Sequence, residues 1–298
     1  LKFLSRQALI IFNPYSGRSK SKNIVEKLIP RLQAAGIDYD LLETKLETEP
    51  STYIRSKVNE FTTDIIAIGG DGTLNHVLNG IKGLDVTLNI IPTGTGNDFV
   101  KNIDIGGSPD EQIDAILHGK EIRVDVGICN EQLFLNGVGL GFDGQIVSDM
   151  LNKESWLSGH AKYYYYVLRI LATFKSVSIN LIIDSKELNK NLILLTVANG
   201  TTFGGGFRLA PDADISDGLL DICMIGDISP LKRFLNIHKL SNGTHGKLKE
   251  VELSKTKSVT IEENPFIIGH IDGEYLGHPP FRIRSLPGYL KIRVRSEP

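Results

Sequence analysis

The five residues Gly69-Gly70-Asp71-Gly72-Thr73 have the makings of a phosphate-binding turn. They follow a β-branched run, Ile65, Ile66 and Ile68, and precede Leu74, Val77, Leu78 and Ile81, which recur at the spacing of one helix face. Glycines at a strand-to-helix junction let backbone N–H groups close on an anion, and the positive end of the helix dipole adds to them. Asp71 could not itself face a bare triphosphate, so a carboxylate in this turn implies a bridging cation. One Gly-rich turn would be an ordinary βα connection, but a second polar glycine loop, Pro92-Thr93-Gly94-Thr95-Gly96-Asn97-Asp98, follows Ile90 and Ile91. A third, Asn13-Pro14-Tyr15-Ser16-Gly17, follows Ile10, Ile11 and Phe12, with Arg18, Lys20 and Lys22 just beyond it. Loops at the carboxyl ends of neighbouring parallel strands line one crevice, so these would share a ligand. None carries the Gly-Lys-Ser or Gly-Lys-Thr of a Walker A loop, which argues against a P-loop NTPase.

Further along, Gly204-Gly205-Gly206 leads to Asp212, Asp214 and Asp217, carboxylates that could supply oxygen ligands to a hard cation. The same spacing suits a solvated Asx-rich turn, and the residues alone leave both open. Asp272-Gly273-Glu274, after the apolar run Phe266 to Ile271, is as a bare tripeptide a hairpin turn. Phosphoryl transfer to an alcohol, however, needs a carboxylate to take the hydroxyl proton, and Glu274 is the candidate base. Gly139-Leu140-Gly141-Phe142-Asp143-Gly144 formally fits a dinucleotide fingerprint but has no βαβ unit around it, so Asn136 to Gly144 reads as a structured turn into a helix. The seven histidines have no metal-ligand spacing and read as structural or exposed.

The elements that must position these residues change character near residue 126. Before it, strands near Ala8 to Asn13, Tyr39 to Glu43, Asp64 to Gly69 and Leu88 to Ile91 alternate with helical patterns near Lys20 to Ala35, Thr52 to Phe61, Thr73 to Ile81 and Pro109 to His118. That order predicts an α/β fold with a doubly wound parallel sheet over residues 1–126. After it, strand-like runs predominate, with helical exceptions at Ser158 to Phe174 and from Ser229 and Pro230 to Leu240, so residues 127–298 form a β-rich sandwich domain.

Asn13-Pro14 with Ser16-Gly17, Gly69 to Thr73, Pro92 to Asp98 and the late Asp272-Gly273-Glu274 together resemble the diacylglycerol kinase catalytic family, including its soluble bacterial lipid kinases. The match spans nearly the whole chain. Gly69 to Thr73 alone is shared with phosphofructokinases and NAD kinases; the other motifs narrow it. The resemblance implies an NAD kinase/diacylglycerol kinase-like fold and a kinase that moves the γ-phosphoryl group of ATP, with Mg²⁺, to a lipid hydroxyl, diacylglycerol first. It implies that Asn13, Pro14, Tyr15, Ser16, Gly17, Thr44, Gly69, Gly70, Asp71, Gly72, Thr73, Leu74, Asn75 and Thr95 bind the nucleotide, Thr44 on that ground alone. It makes Glu274 the base, places Asp71 and Asp125 at the reaction centre in a cleft between the domains, and gives a structural Mg²⁺ to Asp217 with the backbone of Asp214 and Leu219. An NAD kinase-like small-molecule kinase and a non-catalytic nucleotide- or lipid-binding module stay open as alternatives.

Composition agrees with an enzyme. At 298 residues, 41% hydrophobic and 23% charged, the chain can bury two cores and is too balanced for disorder. A net charge of −2 argues against nucleic acid as a partner and leaves membrane contact to local basic patches. Two are visible, Arg18, Lys20 and Lys22 beside the first glycine loop, and Lys291, Arg293 and Arg295 on one face of a terminal strand. No run spans a bilayer and no signal-peptide pattern opens the chain, so the expected location is the cytoplasm, with peripheral membrane contact. Cys129 and Cys223 lie in apolar runs and read as buried thiols. The tyrosines from Tyr163 to Tyr166 surround a helix, with core packing the default and a lipid-facing role the sharper alternative. A homodimer stays open.

Overall fold

The computed structural model describes residues 6–14, 20–44, 49–152 and 159–296, and of 159–161, 163 and 164 the backbone. The chain divides into two units, Leu1–Val126 with Pro287–Pro298, and Gly127–Leu286.

In the first unit the strands β1 (Gln7–Phe12), β2 (Asp38–Glu43), β3 (Asp64–Gly69) and β4 (Thr87–Pro92) are parallel, in the order β2-β1-β3-β4. Helices α1 (Lys20–Ala34), α2 (Pro50–Lys57), α3 (Asp71–Gly80) and α4 (Pro109–His118) alternate with them. The continuous apolar runs of β1 and β3 are buried, as strands covered on both faces require. Ile24, Leu28 and Leu32 of α1 seal Ile10, Ile66 and Ile68. From β1 the chain winds towards β2, and from β3 towards β4, so the order reverses between β1 and β3 and a crevice opens beyond their carboxyl ends. Helix α4 begins where Ser108 and Glu111 form a reciprocal capping box, with Pro109 at the first turn. Helix α2 stops at Lys57 rather than Phe61, because Val58 turns to extended backbone and the Asn59 side chain accepts the Phe61 N–H at 2.9 Å, an Asx turn that competes with the helix.

Strand β5 (Lys120–Cys129) leads into the second unit, which is built mainly from antiparallel strands: β6 (Gln132–Phe134), β7 (Gly137–Gly141), β8 (Val177–Ile183), β9 (Lys186–Ala198), β10 (Leu220–Gly226), β11 (Val251–Thr256), β12 (Ser258–Ile261), β13 (Gly269–Ile271), β14 (Glu274–Gly277) and β15 (Phe281–Val294). The long β9 pairs from Lys186 to Leu192 with β8 and from Leu194 to Ala198 with β7 on one side and β10 on the other. This β-rich sandwich closes over Val138, Leu140, Leu181, Leu195, Val197 and Ile222. Helices α5 (Phe142–Asn152), α6 (Gly159–Thr173) and α7 (Pro230–Ser241) complete the unit. The Asn136 to Gly144 segment is not a plain turn: Gly137–Gly141 is a strand between β13 and β9, and the helix starts only at Phe142. No βαβ unit surrounds its glycines.

Strand β15 starts in the second unit, paired with β12, and its end pairs in parallel with β4, Ile292 beside Leu88. Residues 287–298, grouped by composition with the second domain, therefore lie in the first unit. The cause is ion pairing and burial: Ile292 and Val294 are buried, and Arg293 reaches Asp64 at 3.3 Å and Glu121 at 2.6 Å. Among the described residues no helix is long and apolar enough to cross a membrane.

Candidate functional site

Because the four parallel strands are in register, Asn13, Thr44, Gly70 and Thr93 all leave the same edge of the first sheet. Gly70 is the N-cap of α3 and has no side chain to cap the helix, so the N–H groups of the first turn point to the loop. The two glycine loops close on each other. A Cβ built on Gly94 would lie 2.6 Å from the Gly70 Cα and 2.8 Å from Asn97 Oδ1, closer than real Cβ atoms come, so glycine is required there. Three hydrogen bonds hold the approach: Asp98 N–H donates to Asp71 Oδ1 at 2.7 Å, Thr93 N–H to the Gly69 carbonyl at 2.8 Å, and Asn97 Nδ2 to the Gly94 carbonyl at 2.8 Å. Lys101 pairs with Asp98 at 2.6 Å. The edge is thus an N–H-rich surface with two carboxylates built into it, Asp71, which accepts the Asp98 N–H, and Asp98, which is paired with Lys101.

Other expected nucleotide residues fall around this edge. Asn13 follows β1, its N–H bonded to the Ile68 carbonyl at 3.3 Å and its carbonyl accepting Ser21 Oγ at 2.6 Å. Pro14 is buried beside it. Thr44 is held by the Phe12 carbonyl through its N–H at 3.0 Å, and Gly72, Thr73 and Thr95 stay at least partly accessible. Leu74 and Asn75 point inward: Leu74 is in the core with its N–H bonded to the Gly70 carbonyl, and Asn75 is buried against Asn79. Tyr15, Ser16, Gly17 and Arg18 lie outside the described residues. Asp125 is 2% exposed, and its Oδ1 accepts the Gly288 N–H at 2.7 Å. Its visible task is to tie β5 to the terminal strand within the first unit.

At the opposite end of the same sheet, Asp64 collects Arg6 at 2.6 Å, Arg293, Thr63 Oγ1 at 2.8 Å and Asn89 Nδ2 at 3.1 Å. Burial works to raise its carboxyl, but the Arg6 hydrogen bond and charge, with Thr63 and Asn89, outweigh it and hold the group below the usual range. The terminal basic stripe is consumed in the same manner: Lys291 pairs with Asp85 at 2.5 Å and Arg295 with Asp104 at 2.9 Å. Lys20 and Lys22 are exposed at the start of α1.

In the second unit Glu274 opens β14, directly after the turn Asp272-Gly273, whose positive φ angles of 48° and 86° form a tight hairpin. Asp272 has a role the motif reading missed. Its carboxylate accepts the N–H groups of Leu135, Asn136 and Gly137 at 2.8, 2.9 and 2.9 Å, fastening the β6–β7 connection to the turn that presents Glu274. A second layer supports this connection: Asn136 accepts the N–H groups of Asn199 and Gly200 at its carbonyl and donates through Nδ2 to the Thr202 carbonyl at 3.0 Å. His270 joins the other side. Gly273 N–H donates to His270 Nδ1 at 3.3 Å, and His270 Nε2 lies 3.2 Å from Asp143 Oδ2. A Cβ on Gly139 would strike both groups, which explains this glycine without a nucleotide. Glu274 itself is half-buried at the start of β14.

The acidic loop is organised around a cation of the chain's own. Lys255 Nζ lies 2.6 Å from Asp217 Oδ2, 3.4 Å from Asp221 Oδ2 and 3.3 Å from the Asp212 carbonyl, while Leu219 N–H donates to Asp217 Oδ1 at 2.9 Å. Asp214 accepts Ser216 N–H and Oγ in an Asx turn. Burial would raise Asp217, but the Lys255 hydrogen bond and charge and the Leu219 N–H bring it below its ordinary value. Asp221 is raised, by burial first, with Lys255 opposing and Asp217 and Asp212 adding repulsion. Asp212, Asp214, Asp217 and Asp221 offer only oxygen donors, the kind a hard divalent ion takes, and Lys255 lies against Asp217 and Asp221. Among the described residues no three histidine, cysteine or acidic side chains are arranged as a metal cage, so backbone carbonyls would have to complete the shell.

Cys129 and Cys223 are free and buried, and burial pushes both thiols up to about 12, with the Asp143 charge adding at Cys223. His245 lies buried between Cys223 and the Leu209 carbonyl, and burial lowers its basicity.

Residues 7–129 match the model of the diacylglycerol kinase catalytic domain, and residues 136–294 match that of the YegS C-terminal NAD kinase beta sandwich-like domain. A diacylglycerol kinase of Mycobacterium tuberculosis is 29% identical over 287 residues, covering 94% of this chain and 92% of that protein. One from Bacillus subtilis is 29% identical over 300 residues, covering 98% and 97%. A crystal structure of a diacylglycerol kinase from Bacillus anthracis superposes with a TM-score of 0.74 at 27% identity, covering 99% of this chain and 98% of that one.

Proposed function

Since the chain belongs to the diacylglycerol kinase catalytic family, and is a lipid kinase that transfers a phosphoryl group to an alcohol, we propose that its donor is ATP, its acceptor diacylglycerol and its product phosphatidic acid. The observation that carries the donor is the close approach of Gly70 and Gly94 beside the uncapped start of α3. Backbone N–H groups at that start bind phosphate oxygens without charge of their own, and the loop is held rigid by the Asp71, Asn97 and Thr93 hydrogen bonds. Asn13, Thr44 and Thr95, on the same edge, line the nucleotide.

Asp71 engages the cation that accompanies the triphosphate. Asp217, with the carbonyls of Asp214 and Leu219, holds a structural Mg²⁺ in the second unit, with Lys255 as its neighbour. Mg²⁺ supplies charge neutralisation of phosphate oxygens, the part of phosphoryl transfer that protein groups accomplish least well. Glu274 accepts the proton of the attacking hydroxyl. Its fitness rests on the fastening of its turn by Asp272 and His270, since a base must be held within hydrogen-bond reach of its proton. Diacylglycerol is met at a membrane surface, because its acyl chains keep it there.

The test is turnover of ATP against diacylglycerol, a sphingoid base, a polyprenol and NAD, with Glu274→Gln alongside. Phosphatidic acid is the expected product, and the variant should lose about 10²–10⁴-fold in kcat with little change in ATP affinity. Phosphorylation of NAD alone would replace the acceptor, and wild-type kcat in the variant would remove Glu274 from its role.

A further inference from the structure

Helix α7 carries a row of apolar side chains that the second unit does not cover. Leu231, Phe234 and Leu235 are 71%, 40% and 65% exposed, and their i, i+3, i+4 spacing puts them on one face. The opposite face is firmly seated. Arg233 is buried and donates to the Ile228 carbonyl at 2.7 Å and to the Leu171 and Phe174 carbonyls at the end of α6, at 3.1 and 2.7 Å. Ile237 packs against the cluster of Tyr166, Val167 and Ile170. The helix therefore holds its apolar row outward on a fixed base, and α6 adds the exposed Tyr165 and Leu168.

The charge around this row is net positive. Residues 228–249 contain no aspartate or glutamate and carry the exposed Lys247 and Lys249 and the half-buried Lys239, while the buried Arg233 faces the exposed Asp227 at 4.0 Å and adds nothing to the surface, in a chain whose 35 acidic residues outnumber its 33 lysines and arginines. Lys232 is paired with Glu250, just past this stretch. Helix α6 also has no acidic residue. Exposed leucine and phenylalanine flanked by cations is the pattern of a helix lying in a bilayer interface, apolar face among the acyl chains and cations at anionic headgroups. A second copy of the chain is the poorer occupant, because a two-fold contact here sets the same basic surface against itself.

We propose that the Leu231-Phe234-Leu235 face of α7 is the surface by which the enzyme docks on an anionic lipid bilayer, and that Lys20 and Lys22 play at most an auxiliary part. The inference deepens the lipid-kinase reading and rests on it for the occupant. It places apolar insertion rather than charge at the centre of docking, so binding survives moderate salt.

The experiment is co-sedimentation with vesicles of phosphatidylglycerol and phosphatidylcholine, and with phosphatidylcholine alone, for the wild type, Leu231→Ser/Leu235→Ser and Lys20→Glu/Lys22→Glu. Phosphorylation of a short-chain diacylglycerol in detergent and gel-filtration mass are read on the same samples. The wild type is expected to bind the anionic vesicles, and the leucine variant to bind about tenfold less or weaker still while keeping detergent-phase activity. Equal vesicle binding by the leucine variant and the wild type overturns the proposal, as does a wild type that binds no vesicle. A wild-type dimer that the leucine variant turns into a monomer gives the face to a second copy and overturns it too. Absent activity on the short-chain lipid in every variant would count against the diacylglycerol reading, while the sedimentation still decides the α7 face.

Discussion

Replacing Gly94 with alanine puts a methyl group where the two glycine loops meet. The added Cβ would stand 2.6 Å from the Gly70 Cα, whereas carbon atoms rest at about 3.5–4.0 Å, so about 1 Å must be found. Both partners are backbone, and no rotamer change can supply it. Separation of the loops would stretch the Asp98 N–H bond to Asp71, now 2.7 Å, and the Thr93 N–H bond to Gly69, now 2.8 Å. Overpacking of this kind costs about 1–3 kcal/mol, which for a chain of this size lowers Tm by about 2–10 °C. The larger effect falls on the ligand, since a misplacement of about 1 Å in a site costs up to about 10²-fold. The assay is ATP affinity by calorimetry, with kcat and KM, beside Gly206→Ala, where a Cβ meets nothing within 4 Å. Gly94→Ala should raise the ATP KM at least about tenfold, and Gly206→Ala should not. An ATP KM and Tm unchanged in Gly94→Ala would refute the idea that these loops form the phosphate cradle.

Three further outcomes follow from particular contacts. Asp272→Ala strands three N–H groups, at about 1–3 kcal/mol for each buried donor left unpaired, so the second unit should melt earlier and kcat fall, with ATP affinity kept; Asp272→Asn, which tolerates the positive φ, should lose less, and equal losses would deny the carboxylate its anchoring role. Because Asp64 titrates below its unfolded value, its contribution to stability is complete above about pH 4 and drains away as the pH falls through its folded value, so urea melts of wild type and Asp64→Asn should converge in acid; parallel curves from neutral to acid pH would contradict this. Asp217→Ala should remove the thermal stabilisation given by Mg²⁺ without nucleotide, about 5–10 °C at a hundredfold excess over the dissociation constant; an equal Mg²⁺ response in the variant would return the loop to Lys255 alone.

Much of the first unit was legible because its signals are local. Helix α4 announces itself through Ser108, Pro109 and Glu111, and Gly69 to Thr73 sits at a strand-to-helix junction whichever neighbours surround it. The β-rich character of residues after 126 was also legible, from the run of strand-like segments. What residue order alone could not reveal depends on groups far apart in the chain. That Gly94 abuts Gly70, that Asp272 holds the backbone of residues 135–137, and that Lys255 fills the acidic loop are each contacts across many residues, set by strand register rather than by spacing. The terminal stripe shows the same division. Lys291, Arg293 and Arg295 alternate as a solvated face would, and only packing beside β4 and Asp64 shows them consumed by acids of the first unit. Sequence determines which residues can do chemistry and in what kind of element. Tertiary structure decides which of them meet, because a charge or a glycine acquires its role from the partner that folding brings to it.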